Sequence, residues 1–212
     1  MKMNHIIIFF FALLISSSYT FHVSSSANDF CVANLHKTPD TPSGYPCKSP
    51  TVNDFVLSGF GPGSLNKAFN VKLAKASVTE LPSLNGLDIS AARVDIGPNG
   101  SVPMHTHPDA TELLIMVQGR VTAGFINLTE VYVKDLKPTD IMVFPKGLLH
   151  FVVNSGAGEA IAFATYSSSK PSFQFLDSVL FGNKLPTSII AKTTLLDVSQ
   201  IKKLKAKFKG TG

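Results

Sequence analysis

Beyond its N-terminus, the sequence lacks a hydrophobic run long enough to cross a bilayer, for which about 20 apolar residues are needed. The longest apolar run covers residues 6–15, is about half that length, and follows the positively charged Lys2. A Ser-rich stretch of small residues then ends at Ala27. This order predicts a cleaved signal peptide over residues 1–27 and a secreted mature protein without a membrane partner. A membrane anchor is the alternative interpretation, and the shortness of the run disfavours it.

Cysteine is almost absent, since Cys31 and Cys47 are the only two in the chain. Because exported proteins fold in an oxidising compartment, we expect these two to form a disulfide within an N-terminal arm, residues 28–70. Such a bridge stabilises the fold by about 3 kcal/mol in the chain-entropy model. A metal-binding or catalytic thiol is the alternative, for which His36 is the one nearby partner in the sequence.

Acidic residues are scarce as well: 14 of them stand against 19 lysines and arginines, which gives a formal net charge of +5. The excess lies between Lys192 and Lys209, where six lysines accompany Asp197 as the single acidic residue. The tail has no aromatic series interleaved with these lysines of the kind that stacks on bases. We therefore interpret the lysines as the solvated face of a helix and expect no nucleic-acid partner.

Two N-glycosylation sequons gain meaning from the predicted export. They begin at Asn99 (Asn-Gly-Ser) and at Asn127 (Asn-Leu-Thr). Short sequons also arise by chance, so both asparagines are candidates for modification.

A parallel βαβ alternation is also missing from the sequence. Instead, short apolar runs are separated by turn residues over the central part of the chain. The runs cover residues 113–117, 131–133, 141–144, 151–153 and 160–163, and the turns cover 97–100, 137–140, 145–147 and 155–158. This pattern predicts an all-β sandwich or barrel over residues 71–168.

The pattern becomes helical in the last segment, residues 169–212. A first helix is expected to stop at Gly182, a second to open at Pro186, and a third to run from an Asp197 N-cap to Gly210. Their apolar faces must be buried either on the barrel or on a neighbouring subunit, and the second option predicts an oligomer.

Histidine is rare in the predicted mature chain, which has only His36, His105, His107 and His150. His105 and His107 lie two positions apart in an extended segment and therefore point to the same strand face. A short turn lets Glu112 rejoin that face, and His150 opens another strand directly after a Pro-Lys-Gly turn. Three imidazoles and one carboxylate thus converge on the inner wall of the predicted barrel.

Such a cluster predicts a six-coordinate metal ion with two open positions. Imidazole suits several transition metals, and the added carboxylate favours a harder ion such as manganese or iron. With neutral imidazoles the site around a divalent ion carries a net charge of +1, so it can bind water or a small anion. The alternative is two surface histidines and an unrelated buried one, which the fixed offset of Glu112 and the position of His150 disfavour.

The spacing of these residues resembles the two cupin motifs. His105-Thr106-His107 is followed after four residues by Glu112 and after six more by Gly119, as in the first motif. Pro145-Lys146-Gly147 is followed after two residues by His150 and after three more by Asn154, as in the second. One copy of the pair is present, as in single-cupin proteins. Residues 29–33, residues 180–183 and the lysine-rich tail are similar to plant germin-like proteins, above all to the subgroup named auxin-binding proteins.

This resemblance implies a cupin jelly-roll β-barrel over residues 71–168 with a C-terminal helical extension that takes part in oligomerisation. It implies a hexamer built as a trimer of dimers, and a glycosylated protein of the apoplast or cell wall. The implied ligands are His105, His107, Glu112 and His150, and the implied metal is manganese, with iron or zinc as alternatives.

Two positions depart from the motifs, which have glycine where Asn99 and Thr139 stand. Asn tolerates a positive φ, so we expect the first turn to be kept. A β-branched residue disfavours positive φ, and we expect Pro138-Thr139 to form a type I turn, which needs none.

Three activities are compatible with a site of this kind. The first is superoxide dismutation, found in many germin-like proteins, with superoxide or another small anion as ligand. The second is oxalate oxidation, which in true germins uses two asparagine amides; Ala92 and Val102 stand at the aligned positions and cannot donate, so we do not expect it. The third is a non-enzymatic role as an auxin-binding, receptor-like or storage protein. In that role an aromatic acid would lie among Phe144, Met142 and Phe151; the absence of Trp, on which its ring could stack, disfavours this role.

Overall fold

The computed structural model describes residues 30–38 and 44–212, so the predicted signal peptide lies outside the described part of the chain. None of the helices in that part is long and apolar enough to cross a membrane. The described residues form eleven β-strands, three α-helices and two 3-10 turns, at Val52–Phe55 and Pro82–Leu84. The strands are β1 (Ser64–Asn66), β2 (Val71–Ala76), β3 (Ser90–Ile96), β4 (Ser101–Thr106), β5 (Glu112–Gln118), β6 (Val121–Ile126), β7 (Val131–Leu136), β8 (Ile141–Phe144), β9 (Leu149–Asn154), β10 (Ala160–Tyr166) and β11 (Gln174–Phe175). The helices are α1 (Leu176–Phe181), α2 (Thr187–Thr194) and α3 (Val198–Phe208).

Two antiparallel sheets enclose the core. One has the strand order β1-β2-β3-β10-β5-β8 and the other has the order β11-β4-β9-β6-β7. The predicted all-β architecture with helices at the C-terminal end is therefore confirmed.

Strand β10 shows how the sequence creates the core. Ala160, Ala162, Ala164 and Tyr166 are buried, whereas the residues between them are half-buried. Because successive side chains of a strand point to opposite faces, one face of β10 lies inside and the other outside. The small alanines leave room for larger side chains of the same hydrophobic core, which come from other strands of both sheets: Val94, Ile96, Leu114, Met116, Val121, Phe144 and Val152.

A disulfide closes the N-terminal arm on itself, and hydrogen bonds hold the arm to the segment between β2 and β3. Cys31 and Cys47 form the expected disulfide, and the described residues contain no free cysteine. The thiol alternative is thereby excluded. Asn85 fastens the same arm, because its Oδ1 accepts from the Tyr45 backbone N–H at 2.9 Å and its Nδ2 donates to the Tyr45 carbonyl at 2.8 Å.

The C-terminal helices pack on one another and on the barrel of the same chain. Their shared core is formed by Phe181, Ile190 and Ile201, and Phe208 stacks on Phe69 next to β2 with ring centroids 6.5 Å apart. Helix α3 ends at Phe208, and Lys209 rather than the expected Gly210 is its C-cap, with a left-handed φ of 62°. Gly210 serves close packing instead: a Cβ there would lie 1.9 Å from the Phe181 carbonyl oxygen.

One lysine of the tail contradicts the interpretation of a solvated helix face. Lys205 is only 4% exposed. Its Nζ donates to the carbonyls of Leu185 at 2.6 Å, Thr211 at 2.9 Å and Asn183 at 3.4 Å. A buried ammonium is tolerated when its protons find acceptors, and here it joins α3 to the α1–α2 connection and to the chain end.

The two departures from glycine have different outcomes. Asn99 adopts a positive φ of 57°, so the first turn is kept as expected. The type I turn expected at Thr139 is wrong, because Thr139 has a φ of 77°. The Asp140 N–H donates to the Lys137 carbonyl at 3.0 Å, and a positive φ at the third residue is the pattern of a type II turn. Backbone bonds with Met116 on both sides of this turn hold Thr139 in that conformation: Thr139 N donates to Met116 O at 2.9 Å and Met116 N donates to Asp140 O at 3.0 Å.

Candidate metal centre

Strand register brings the first two imidazoles together. β4 pairs with β9 so that His105 lies directly opposite His150, and their ring centroids are 4.1 Å apart. The register of this pair shifts between Val102 and His105, a segment that contains Pro103. Proline lacks an N–H and is tolerated at such irregularities.

The other two side chains reach the same place from the ends of strands. His107 follows β4 directly, and Glu112 is the first residue of β5, opposite Phe144 and Tyr166 of the neighbouring strands. The turn before β9 is linked to His107 as well, because the Gly147 N–H donates to the His107 carbonyl at 2.9 Å. Gly147 has a φ of 78°, which explains the glycine in the second motif.

The structure brings together all four residues that the sequence singles out. One ligand atom from each of them lies within 4.8 Å of the others. All four are buried: His105 is 3%, His107 1%, Glu112 4% and His150 1% exposed. His36, the remaining histidine of the described part, lies exposed in the N-terminal arm and takes no part in the cluster.

Backbone carbonyls orient all three imidazoles in the same way. The Nδ1 atoms of His105, His107 and His150 lie 2.9, 2.8 and 2.8 Å from carbonyl oxygens. The acceptors are Pro103, Ser172 and Leu148, respectively. A ring that donates from Nδ1 keeps the lone pair of a neutral imidazole on Nε2, which is the arrangement of a metal-binding histidine.

The Nε2 atoms and the carboxylate face one another across the centre. His107 Nε2 lies 2.9 Å and His150 Nε2 lies 3.4 Å from Glu112 Oε2. A neutral imidazole has one N–H, and in His107 the Ser172 carbonyl takes it. His150 Nε2 is buried without a hydrogen-bond partner. Lone pairs that converge in this way repel one another unless a proton or a cation lies among them, so the donor set fits a bound metal ion.

Acid–base properties of the cluster favour a cation. Burial, together with the neighbouring His150 and His107, lowers the pKa of His105 to about 3. Burial alone would raise the pKa of Glu112, but the interaction of its carboxylate with the facing imidazoles of His107 and His150 outweighs burial and lowers that pKa to about 2. At neutral pH the cluster therefore contains an ionised carboxylate and an uncharged His105, the forms that bind metals.

Comparisons with known proteins agree with this geometry. The cupin family model matches residues 58–202. Auxin-binding protein ABP19a of Prunus persica is 50% identical over 210 residues, which cover 97% of this chain and 98% of that protein. Germin-like protein subfamily 3 member 1 of Arabidopsis thaliana is 47% identical over 97% of this chain and 98% of that protein. The chain belongs to the germin-like proteins of the cupin family.

A solved structure of oxalate oxidase superposes on this germin-like protein with a TM-score of 0.80 and 30% sequence identity, covering 86% of this chain and 96% of that one. The fold expected from the two motifs is thereby confirmed as the cupin barrel. Two residues of the cupin motifs that lie outside the metal-ligand cluster stabilise the barrel. Asn154 donates to three backbone carbonyls, and a Cβ at Gly119 would lie 2.7 Å from the Cα of Ala160.

Aromatic rings line the cluster on several sides. Phe144 stacks on His150 with ring centroids 4.6 Å apart, in agreement with its expected position beside the site. The same expectation for Phe151 is wrong, because it follows His150 in β9 and therefore points to the opposite face of the strand. Met142 shares the inward face with Phe144 and packs against the core.

Three further rings were not found from the sequence. Tyr166 and Phe173 meet the ring of His107 at centroid distances of 5.0 and 4.5 Å, and Phe175 stacks on His105 at 5.2 Å. Burial, together with the charge of Glu112, raises the pKa of Tyr166 well above its ordinary value, so its hydroxyl stays protonated. The alternation Phe173-Gln174-Phe175 is a strand signal, but two-residue β11 is too short to stand out.

Residues 167–175, the cover segment, lie across the cluster. Ser172 supplies the carbonyl that orients His107, and β11 pairs with β4 so that Phe175 lies opposite His105. Asp109 fastens the segment, because its Oδ1 accepts from the Ser172 backbone N–H at 2.8 Å and its Oδ2 accepts from the Ser172 hydroxyl at 3.1 Å.

The positions aligned with the oxalate-binding amides lie in the core. Ala92 of β3 is fully buried in the hydrophobic core, and Val102 of β4 packs against that core. Both glycosylation candidates are exposed, Asn99 in the turn before β4 and Asn127 in the β6–β7 hairpin.

Proposed function

We propose that this germin-like protein is a secreted manganese protein of the plant apoplast that dismutates superoxide. The observation that carries the proposal is the convergence of the Nε2 atoms of His107 and His150 on Glu112 Oε2, at 2.9 and 3.4 Å, inside a closed aromatic shell. His105, His107, Glu112 and His150 are the proposed ligands. Bound manganese would supply one-electron redox chemistry, as would iron, whereas zinc, the other alternative ion for this donor set, is redox-inert and would leave only a binding role.

The protein's own residues hold this centre rigid and dry. Three backbone carbonyls fix the rings of His105, His107 and His150, so little rearrangement is needed when charge changes at the centre. Glu112 supplies one negative charge, so a divalent ion would leave a net charge of +1 that attracts small anions. The four ligands are at most 4% exposed, so bulk water has little access to them.

Secretion, assembly and modification belong to the same proposal. The relatives and the Cys31–Cys47 disulfide are consistent with an extracellular protein. Exposed apolar side chains on the outer face of β5 and β8, such as Val117 and Ile141, support assembly into a hexamer built as a trimer of dimers. Asn99 and Asn127 are accessible for glycans, and we place the protein in the cell wall with a defence or wall role.

Oxalate oxidation is not part of the proposal. The similarity to an oxalate oxidase at 30% identity shows that the two proteins share the barrel. Ala92 and Val102 contribute only hydrocarbon, and a buried dianion without polar partners loses several hydrogen bonds to water at about 1–3 kcal/mol each.

A superoxide assay tests the proposed activity. Purified wild-type protein with manganese should scavenge superoxide, and His105→Ala should lose both the metal and the activity. The exposed His36→Ala variant is the matched control and should keep both. Full manganese loading without any turnover would refute the dismutase function.

Auxin binding is the second candidate, because the relative with 50% identity is an auxin-binding protein. In that case an aromatic acid would place its carboxylate on the metal, within the shell of Phe144, Phe173 and Phe175. Saturable binding of an auxin by wild-type protein, lost in His150→Ala and unaffected in His36→Ala, would favour this role over the enzymatic one.

A further inference from the structure

Two of the cavities next to the metal centre have contrasting linings. The first, of about 190 Å³, is lined by Tyr166 and Phe173, the two rings that contact His107. The second, of about 230 Å³, is lined by Pro103 and Phe175, which contact His105. The four proposed ligands are at most 4% exposed, so a small molecule that reaches them must first pass the side chains that surround them.

The two cavities differ in charge. Lys75 and Lys170 line the first cavity, together with Glu80. Asp177 is the single charged residue that lines the second, whose walls are otherwise largely apolar. An anion that leaves water is stabilised by nearby positive charge and destabilised by a carboxylate or by hydrocarbon alone.

The carboxylate of Glu80 in the first cavity keeps its negative charge, so the two lysines and this one carboxylate give the lining a net charge of +1. Its Oε2 accepts from the Ser77 backbone N–H at 3.0 Å and from the Ser77 hydroxyl at 2.6 Å, and its Oε1 accepts from the Thr79 hydroxyl at 2.7 Å. Lys75 instead holds its Nζ 4.5 Å above the centroid of Phe173. Lys170 donates to the Tyr45 hydroxyl at 3.1 Å, a neutral partner that leaves its charge uncompensated.

Phe173 contacts both Lys75 and the ring of His107 in the metal centre. The centroid of its ring lies 4.5 Å from Lys75 Nζ and 4.5 Å from the centroid of the His107 ring, which it meets edge to face. A cavity of this volume holds several water molecules, each of which takes about 30 Å³ in the liquid. It therefore has room for a small anion with part of its hydration shell, one aromatic ring away from an imidazole of the cluster.

We propose that the cavity lined by Lys75, Lys170, Tyr166 and Phe173 is an anion cavity, which collects small monovalent anions for the metal centre. The two lysines attract the anion, and a rotation of the Phe173 ring opens its path to His107. This inference rests on the proposed metal centre and assigns to it an access side and a ligand class.

Azide, a small monovalent anion, is the probe for this cavity. It is titrated into the manganese-loaded protein and followed by the electron paramagnetic resonance spectrum of the metal. At about 10 mM ionic strength, where the Debye length is about 30 Å, Lys75→Gln and Lys170→Gln should each weaken azide binding about threefold or more. At about 1 M salt, where that length is about 3 Å, the difference should disappear. Lys134→Gln, an equal loss of charge on the opposite sheet in β7, should bind azide as the wild type does.

Phe173→Ala adds a kinetic test, because removal of the ring should speed azide association. Variants Lys75→Gln and Lys170→Gln with full manganese content and unchanged azide affinity at low salt would overturn the proposal. A protein whose azide binding depends on both lysines but which consumes no superoxide would retain the anion cavity and lose the dismutase function. Rapid superoxide consumption whose rate and salt dependence are the same with and without the two lysines would support the dismutase function and contradict the anion cavity.

Discussion

At the scale of single residues, metal binding at the centre depends on which side-chain atoms carry a proton. Each imidazole gives its N–H to a carbonyl, so the lone pair on Nε2 is available to a cation. Burial and the neighbouring imidazoles lower the pKa of His105 to about 3, and the facing imidazoles lower that of Glu112 to about 2. Both values lie below those of the unfolded chain, 6.5 and 4.5.

These depressed pKa values predict an acid-sensitive metal-free protein. Between pH 6.5 and 3 the unfolded chain protonates His105 and the folded chain does not, so stability falls as the pH falls through this window. Glu112 adds a loss below its unfolded value of 4.5. Denaturant titrations of chelator-treated protein should show the free energy of unfolding decrease by about 3 kcal/mol between pH 7 and 4, because each tenfold difference in proton affinity between the two states contributes about 1.4 kcal/mol.

Variants identify the source of this acid sensitivity. His105→Ala should flatten the pH dependence above pH 4.5, whereas His36→Ala, which changes an exposed histidine outside the cluster, should keep it. A chelated wild-type protein with equal stability at pH 7 and pH 4 would contradict the assigned protonation states.

At the scale of elements, the cover segment couples the region after β10 to the turn after β4. Asp109 accepts two hydrogen bonds from Ser172, whose carbonyl orients His107. Asp109→Ala should therefore release bound metal to a chelator several-fold faster without changing the barrel, since loss of such an outer contact weakens metal sites about 10–100-fold. Asp109→Asn keeps one acceptor oxygen, so its rate of metal release should lie between those of the wild type and Asp109→Ala. Equal release rates for all three proteins would show that the segment needs no such fastening.

Helix α3 offers a second element-scale prediction. Lys205→Met keeps the length of the side chain but leaves three carbonyls without their donor. We expect the free energy of unfolding to fall by about 1–3 kcal/mol, measured by chemical denaturation. Lys202→Met, on the exposed face of the same helix, should change it by less than about 0.5 kcal/mol. An equal effect at both positions would mean that burial of Lys205 contributes nothing.

At the scale of the whole molecule, the parts that sequence reasoning reached are those encoded by local spacing. Alternating apolar residues predicted the barrel, and the offsets between His105, His107, Glu112 and His150 predicted which side chains converge. Strand periodicity fixes the face of a side chain, so these inferences need no tertiary information.

Features that depend on distant contacts escaped prediction. Ser172 orients His107 across 65 residues, and nothing near either position signals that bond. Lys205 resembles its solvated neighbours until Leu185 and Thr211 supply acceptors. Thr139 has an ordinary turn sequence, and its positive φ results from bonds of that turn with Met116 in β5.

Elemental analysis of the purified native protein, by mass spectrometry of the metal content per chain, tests the central claim most directly. We expect close to one manganese ion per chain in the wild type, and almost none in Glu112→Gln or His150→Ala proteins that retain the Cys31–Cys47 disulfide and a cooperative unfolding transition. A folded wild-type protein without metal, or one whose metal content is the same in both variants, would contradict the assignment of these residues as a metal centre.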